Sequence, residues 1–254
     1  MIQQKCALQL YTLREECKVD FPKVLREIKS MGWAGVQFAG YHGYDPEVLA
    51  ETAEKTGLQT AGLHVSYQRV TEELDELIAE ARMFKTRDLI MSSTPMNLRD
   101  LEGYTEIKKR LNAAAEQLRL EDMRISYHNH AYEFDTAING LSAFEFLLEP
   151  TMDNLILAEI DVYWVKKGGY DPLSIISRYS GRMPIIHLKD MALNNEQTFA
   201  EIGEGCIDFS PILKWGEQNG IEWYVVEQDK CFRAPMDCVQ TSFTNLSRIV
   251  TELK

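Results

Sequence analysis

The sequence predicts an α/β protein in which eight strand–helix units close into one (β/α)8 barrel, a single domain over residues 1–254. Short apolar runs alternate with amphipathic stretches along the chain, with no linker and no low-complexity tract between them. A doubly wound open sheet is the main alternative, and it normally carries a Gly-rich phosphate loop after its first strand. LQLYTLREE (residues 8–16) stands there instead. The barrel is therefore the favoured architecture.

The predicted strands are short runs rich in apolar residues, each followed by polar or turn-forming residues. In chain order they are CALQL (6–10), GVQF (35–38), QTAGLH (59–64), DLIMSS (88–93), RISYHNH (124–130), LILAEID (155–161), PIIHLKD (184–190) and WYVVEQ (223–228).

The predicted helices fill the intervals between these strands. Over residues 105–121, an apolar stripe recurs at intervals of four, three and four, as on one face of a helix. Other helix starts show a capping residue followed by proline, and other helix ends show glycine. The predicted cap–proline pairs are Asp20 with Pro22, Asp45 with Pro46, Asp171 with Pro172 and Ser210 with Pro211, and the ending glycines are Gly32, Gly57 and Gly220.

Composition restricts the class of partner and the compartment. With 45% hydrophobic and 10% aromatic residues the chain can bury a large core. Its formal charge of −12 and its lack of a basic stripe argue against nucleic acid as a binding partner. The start, MIQQKCALQLYTLREE, does not resemble a signal peptide, and no apolar run is long enough to span a bilayer. The five scattered cysteines lack any C-x-x-C spacing, which disfavours a disulfide framework. We expect a cytoplasmic protein without a membrane partner.

Polar side chains collect at the ends of the predicted strands, where barrel enzymes place their chemistry. They are His64 on strand three, His128 and His130 on strand five, Glu159 and Asp161 on strand six, His187 to Asp190 on strand seven and Glu227 on strand eight. Strand alternation places residue 128 with 130, and residue 159 with 161, on one face. Unpaired charges converging there would be costly, so a bound cation is the simplest explanation. Mixed imidazole and carboxylate ligands suit Mn²⁺, Mg²⁺, Co²⁺ or Zn²⁺.

Six motifs, taken in order, carry a resemblance to a known family. They are LQLYTLRE, YHNHAYEF, EIDVYWVKKGGYDP, IIHLKDM, IGEGCIDF and WYVVEQD. With them the chain resembles the sugar phosphate isomerase/epimerase superfamily, the xylose isomerase-like TIM barrels that also include AP endonuclease family 2. The resemblance implies a divalent metal held by a Glu, an Asp, a His and a Glu from strands five to eight. The last three correspond to Asp161, His187 and Glu227.

The first ligand position departs from the family pattern, because His128 stands where the glutamate is expected. The fourth ligand is therefore His128, then Glu133, then water, in order of preference. Glu159, two residues before Asp161, is expected to restore the negative charge that the histidine removes.

The resemblance implies an isomerase or epimerase that acts on a sugar, keto-sugar or polyol by proton transfer next to a metal-bound carbonyl. Glu227 would be base as well as ligand, and Lys189 would hold a substrate oxygen or else pair with Asp190 or Glu227. With His128 in place of a second carboxylate, a hydratase or dehydratase acting on a keto-sugar or inosose is the alternative.

Four further side chains, His64, His130, Trp164 and Gln37, are predicted to contact a small carbohydrate, and the resemblance also allows a homo-oligomer. The IGEGCIDF segment is expected to form a loop over the site. An AP endonuclease-like phosphodiesterase is less favoured, because its three-metal site needs more ligands and the chain has only five histidines. A sugar-binding barrel without turnover is the remaining alternative.

Overall fold

The computed structural model describes residues 2–253, and within them eight parallel strands form a closed barrel. The strands are β1 (Cys6–Gln9), β2 (Gly35–Phe38), β3 (Gln59–Val65), β4 (Asp88–Met91), β5 (Arg124–His128), β6 (Leu157–Asp161), β7 (Ile185–Leu188) and β8 (Trp223–Val226). Their order around the barrel is β1-β8-β7-β6-β5-β4-β3-β2. The predicted (β/α)8 barrel is confirmed.

Helices occupy the intervals between the strands, and one more follows β8. They are α1 (Arg14–Met31), α2 (Pro46–Thr56), α3 (Tyr67–Glu72), α4 (Leu74–Met83), α5 (Leu101–Leu120), α6 (Tyr132–Asp135), α7 (Ala143–Leu148), α8 (Val162–Lys167), α9 (Pro172–Ile176), α10 (Phe209–Gln218) and α11 (Pro235–Glu252). Short 3₁₀ segments lie at Ile2–Lys5, Leu10–Leu13, Met96–Leu98 and Ser177–Tyr179. None of the helices within residues 2–253 combines the length and the apolar character needed to cross a membrane.

The chain divides into two compact units, each of which supplies neighbouring strands. The first unit runs up to Ala61 and resumes at Ile185; in it β1 pairs with β2 and β8, and β8 pairs with β7. The second unit runs from Gly62 to Pro184, and in it β3, β4, β5 and β6 pair in sequence order.

Strand register sets which polar side chains are neighbours. In the first unit Gln9 lies opposite Gln37 across β1 and β2. In the second unit His128 lies opposite Glu159 across β5 and β6. These polar residues are buried among apolar strand residues, and buried polar groups need hydrogen-bond partners.

Strands β5, β7 and β8 end earlier than the apolar runs predicted, whereas β6 ends at Asp161 as predicted. β5 ends at His128, β7 at Leu188 and β8 at Val226. His130 and Glu227 consequently lie just beyond their strands, at the ends where barrel chemistry is expected.

Helix α5 begins at Leu101, four residues before the predicted start, because Asp100 caps it. The Asp100 carboxylate accepts a hydrogen bond from the Gly103 backbone N–H at 2.8 Å. A Cβ at Gly103 would lie 2.3 Å from the Leu98 carbonyl oxygen, so the chain approaches the helix too closely there for any other residue.

Three of the four predicted helix starts are confirmed, at Asp20, Asp45 and Asp171. Ser210 was predicted to cap α10, and this is wrong: Asp208 caps it and accepts from the Ser210 backbone N–H at 3.0 Å. Asp20 lies at a kink inside α1, where one helical segment ends and a second begins, and its backbone is extended, with φ −154° and ψ 83°. Its carboxylate accepts from the Lys23 backbone N–H at 2.9 Å and so caps the second segment.

The predicted helix-ending glycines all adopt left-handed backbone, with φ of 108° at Gly32, 73° at Gly57 and 83° at Gly220. A side chain is strained in this conformation, which explains the residue type.

Candidate metal centre

In the second unit, Glu159 holds two imidazoles with one carboxylate oxygen. Its Oε1 lies 2.6 Å from His64 Nε2 and 3.1 Å from His128 Nδ1. An ionised carboxylate can only accept, so each of these nitrogens carries a hydrogen. A neutral His128 therefore has its lone pair on Nε2, the nitrogen that lies 3.8 Å from Asp161 Oδ2.

Asp161 ends β6 and caps α8, and this double role fixes its carboxylate. Oδ1 accepts from the backbone N–H groups of Tyr163 at 2.9 Å and Trp164 at 3.2 Å. The Asp161 backbone N–H donates to Asn129 Oδ1 at 3.0 Å. The helix start uses one carboxylate oxygen, and the other is the one near His128.

In the first unit, His187 lies between an amide and a carboxylate. Its Nε2 is 2.7 Å from Gln37 Oε1, and its Nδ1 is 3.2 Å from Glu227 Oε2. Gln37 Oε1 also accepts from Gln9 Nε2 at 2.7 Å. The predicted substrate contact of Gln37 is not supported at this oxygen, because the oxygen already bonds to His187 and Gln9.

Lys189 is buried in an ion pair with two carboxylates. Its Nζ lies 2.9 Å from Glu227 Oε2 and 2.6 Å from Asp229 Oδ1. The predicted pairing with Glu227 is present, and sequence reasoning missed Asp229. The alternative pairing with Asp190 is wrong, because the Asp190 carboxylate bonds to backbone N–H groups instead.

Asp190 anchors the segment 202–207, the first part of the predicted loop. Its carboxylate accepts from the backbone N–H groups of Met191 at 2.8 Å, Gly203 at 2.9 Å, Gly205 at 3.0 Å and Ile207 at 3.1 Å. Burial raises the pKa of Asp190, and these four donors oppose the rise. The residue acts as a fixed anchor for the loop.

Glu133, predicted as the alternative fourth ligand, is bonded elsewhere. Its carboxylate accepts from the Tyr127 hydroxyl and, at 2.7 Å, from the His130 backbone N–H. Burial raises the pKa of Glu133 to about 7. Among residues 2–253, Glu133 belongs to neither group of side chains placed to share an ion. The geometry favours His128 over Glu133 for the fourth position.

His130 lies in an aromatic cluster beside His128. Its ring stacks on Tyr132 with centroids 5.3 Å apart and an angle of 11°, and it lies 5.3 Å from Trp164. The Arg99 guanidinium covers the same Tyr132 ring, 3.4 Å from its centroid. In the sequence, the only indication of this stacking was that Tyr132 follows His130 by two residues.

Two groups of side chains are close enough to hold a metal ion, and within each group the ligand atoms lie within 4.8 Å of one another. One group is His128, Asp161, His187 and Glu227, all buried; the other is His64, His128, Glu159 and His187. The first combines two imidazoles with two carboxylates, whose charge would balance a divalent cation. Such a donor set fits Mn²⁺, Co²⁺ or Zn²⁺ and admits Mg²⁺ less readily.

Comparison with known proteins gives consistent relatives. The family described as xylose isomerase-like TIM barrel matches residues 25–237. An inosose dehydratase of Geobacillus kaustophilus (strain HTA426) is 25% identical over 274 residues, covering 91% of this chain and 88% of that protein. Another inosose dehydratase, of Clostridium beijerinckii, is 22% identical and covers 85% of each chain.

Solved structures show the same fold. A sugar phosphate isomerase/epimerase from Parabacteroides distasonis ATCC 8503 superposes with a TM-score of 0.82 and 24% identity, covering 96% of this chain and 98% of that one. A probable 3-DHS dehydratase from Bacillus anthracis superposes with a TM-score of 0.75 and 14% identity, covering 96% and 98%.

Proposed function

Because the chain belongs to the xylose isomerase-like TIM barrel family, we propose that it is a metal-dependent lyase that removes water from a keto-polyol of the inosose type. The single observation that carries this proposal is the position of His128. Its imidazole is one of the four potential ligands in the group with Asp161, His187 and Glu227, and it is held in place by Glu159. A two-base epimerase needs a second carboxylate at that place. The inosose dehydratases among the relatives support the lyase over the isomerase that the sequence favoured.

His128, Asp161, His187 and Glu227 are the residues that would hold the ion. When bound, a divalent cation supplies a Lewis acid for the substrate ketone. His128 would use Nε2, since Nδ1 faces Glu159, and His187 would use Nδ1, since Nε2 faces Gln37. Each ligand is thus oriented by a hydrogen bond from its other nitrogen.

Glu227 and Lys189 form the proposed acid–base couple. Glu227 takes the proton from the carbon next to the ketone, and the hydroxyl one carbon further leaves after accepting a proton from the Lys189 ammonium. One C–H and one C–O bond break, a C=C bond forms, and water departs. The proton on Glu227 then returns to Lys189 across their 2.9 Å contact. Asp229 Oδ1, 2.6 Å from Nζ, holds the lysine in this position.

A ring-shaped carbohydrate is the proposed partner. His130 and Trp164, both partly exposed and 5.3 Å apart, offer flat faces to the C–H groups of such a ring, and His64 would add a polar contact. A cytoplasmic location, a homo-oligomer and the absence of a nucleic-acid partner stay predictions from the sequence.

An isomerase or epimerase acting on a keto-sugar is the second candidate. The specific observation in its favour is that Asp161, His187 and Glu227, the three positions that the family resemblance implies for the metal, lie in one group of potential ligands. The same Glu227 and Lys189 pair would return the proton to a neighbouring carbon, and no water would be released.

The deciding experiment incubates the metal-stripped protein with a keto-inositol, keto-sugars and a 3-keto-glycoside, in D₂O, with and without Mn²⁺, Co²⁺ or Zn²⁺. We expect water loss from the keto-inositol only when metal is present, and none with EDTA or in Asp161→Asn. Deuterated isomers without water loss would establish the second candidate instead. Absence of any turnover with every metal would overturn both and favour a binding barrel.

Metal content tests the role of Glu159. We expect Glu159→Leu, which removes the oxygen that accepts from His128 Nδ1, to lower metal affinity about 10–100-fold, as is typical when a partner that orients a ligand is lost. His128→Ala should lower it at least as much, because it removes the ligand itself. Unchanged occupancy in both variants would contradict the assignment, and Ser126→Ala, buried on the same strand, is the matched control.

A further inference from the structure

A directional chain of hydrogen bonds in the first unit begins at a backbone group. The Tyr11 backbone N–H donates to Gln9 Oε1 at 3.1 Å. Because a backbone N–H can only donate, the Gln9 amide oxygen must face it, and the Gln9 amide nitrogen faces Gln37. That nitrogen donates to Gln37 Oε1 at 2.7 Å. The orientation of both amides is therefore fixed.

The chain continues to the metal-site histidine. Gln37 Oε1, now defined as a carbonyl oxygen, lies 2.7 Å from His187 Nε2. A carbonyl oxygen can only accept, so Nε2 carries the hydrogen, and a neutral imidazole then keeps its lone pair on Nδ1. Nδ1 faces Glu227 Oε2 at 3.2 Å. With hydrogen on Nε2, the Nδ1 lone pair and this carboxylate oxygen are both available as ligands of one divalent cation.

Burial makes this arrangement hard to replace. Gln9, Gln37 and His187 are each 0% exposed, so water is not at hand to supply a substitute donor or acceptor. Gln9 and Gln37 also lie opposite each other in the register of β1 and β2, so the barrel itself aligns them.

We propose that Gln9 and Gln37 are positioning residues that hold His187 as its Nε2–H tautomer and so present Nδ1 to a divalent cation. This rests on the proposed function for the presence of the cation. It changes the role expected of Gln37 from contacting substrate to orienting a ligand. The Gln37 amide oxygen would orient His187 in the same way that the Glu159 carboxylate orients His128, by accepting a hydrogen bond from the ring nitrogen that does not bind the cation.

The test compares Gln37→Leu, which removes the acceptor, with Gln37→Glu, which keeps an acceptor of the same shape. Titration calorimetry with Zn²⁺ alone measures affinity, and ¹⁵N NMR of histidine-labelled protein reports which nitrogen carries hydrogen. We expect Gln37→Leu to bind Zn²⁺ about 10–100-fold more weakly and to lose the Nε2–H signal. Gln37→Glu should retain both within a few-fold, and Ser126→Ala, a buried strand residue outside the chain of hydrogen bonds, should match the wild type.

Equal Zn²⁺ affinity in the wild type and Gln37→Leu would overturn the inference, as would a wild-type spectrum with hydrogen on Nδ1 alone. If Gln37→Leu does not fold, the wild-type and Gln37→Glu spectra still decide. A wild type that binds no Zn²⁺ would overturn the positioning role together with the metal site. Tight Zn²⁺ binding without dehydration of any keto-polyol would overturn the proposed function alone.

Discussion

Glu133 gives a stability prediction whose sign and size follow from its surroundings. Its carboxyl is fully buried, and burial raises its pKa from an ordinary 4.5 to about 7. Replacement by glutamine keeps the shape and removes the ionisation. The amide oxygen can accept from the His130 N–H, and the Tyr127 hydroxyl can turn towards Thr94 Oγ1, 2.6 Å away, and accept from the new amide.

The pH dependence arises because the unfolded chain ionises Glu133 before the folded chain does. Between pH 4.5 and about 7 the folded state holds more protons at this site, so the free energy of unfolding of the wild type falls as pH rises. The rise in pKa from 4.5 to about 7 corresponds to ~3 kcal/mol, at about 1.4 kcal/mol for each tenfold change in proton affinity. This contribution is constant below pH 4.5 and levels off above about 7.

Urea unfolding of the metal-free protein, repeated from pH 4.5 to 8, measures the effect. We expect the stability of Glu133→Gln relative to the wild type to increase by ~2–3 kcal/mol across this range. Glu116→Gln, at an exposed site on α5, controls for removing a carboxylate from the protein. A difference between Glu133→Gln and wild type that stays flat with pH would refute the reasoning.

Two other substitutions test packing and charge in the same unfolding assay. Lys189→Met should lower the free energy of unfolding by about 3–5 kcal/mol, because Glu227 and Asp229 would lose the ammonium group that they share. A decrease of less than ~1 kcal/mol would contradict a stabilising role for this ion pair. Gly103→Ala should lower the free energy of unfolding by about 1–3 kcal/mol, because the new Cβ would clash with the Leu98 backbone, although alanine has the better helix propensity. A variant more stable than the wild type would show that the Leu98 backbone moves at little cost.

Local pattern explains most of what the sequence could predict about the fold. Several barrel strands are buried throughout, as Ile185–Leu188 is, and such a strand can be predicted from its short apolar run because every residue in it faces a packed layer. The prediction of a helix start fails where two or more neighbouring residues could each make the capping hydrogen bond. Asp208 and Ser210 are both good capping residues, and only the backbone geometry selects Asp208.

Pairings between distant residues account for what the sequence could not predict about the candidate site. The apolar runs place His64 and Glu159 near the ends of their strands, but they do not predict the contact between these two residues, which lie 95 positions apart in the sequence. Gln37 looks like any polar strand residue until Gln9 and His187 are seen to share its oxygen. The assignment of ligands stays a prediction, because it depends on which of these buried groups an ion selects.

The anchoring of the loop by Asp190 also bears on how quickly parts of the molecule exchange with solvent. The amides of Gly203, Gly205 and Ile207 all donate to one carboxylate, so none of them opens without straining the others. Their deuterium uptake should be slow and should proceed as one cooperative event rather than residue by residue. The segment after β7 would then belong to the rigid frame of the barrel on the timescale of hydrogen exchange, and the motions that admit a substrate would arise in other loops.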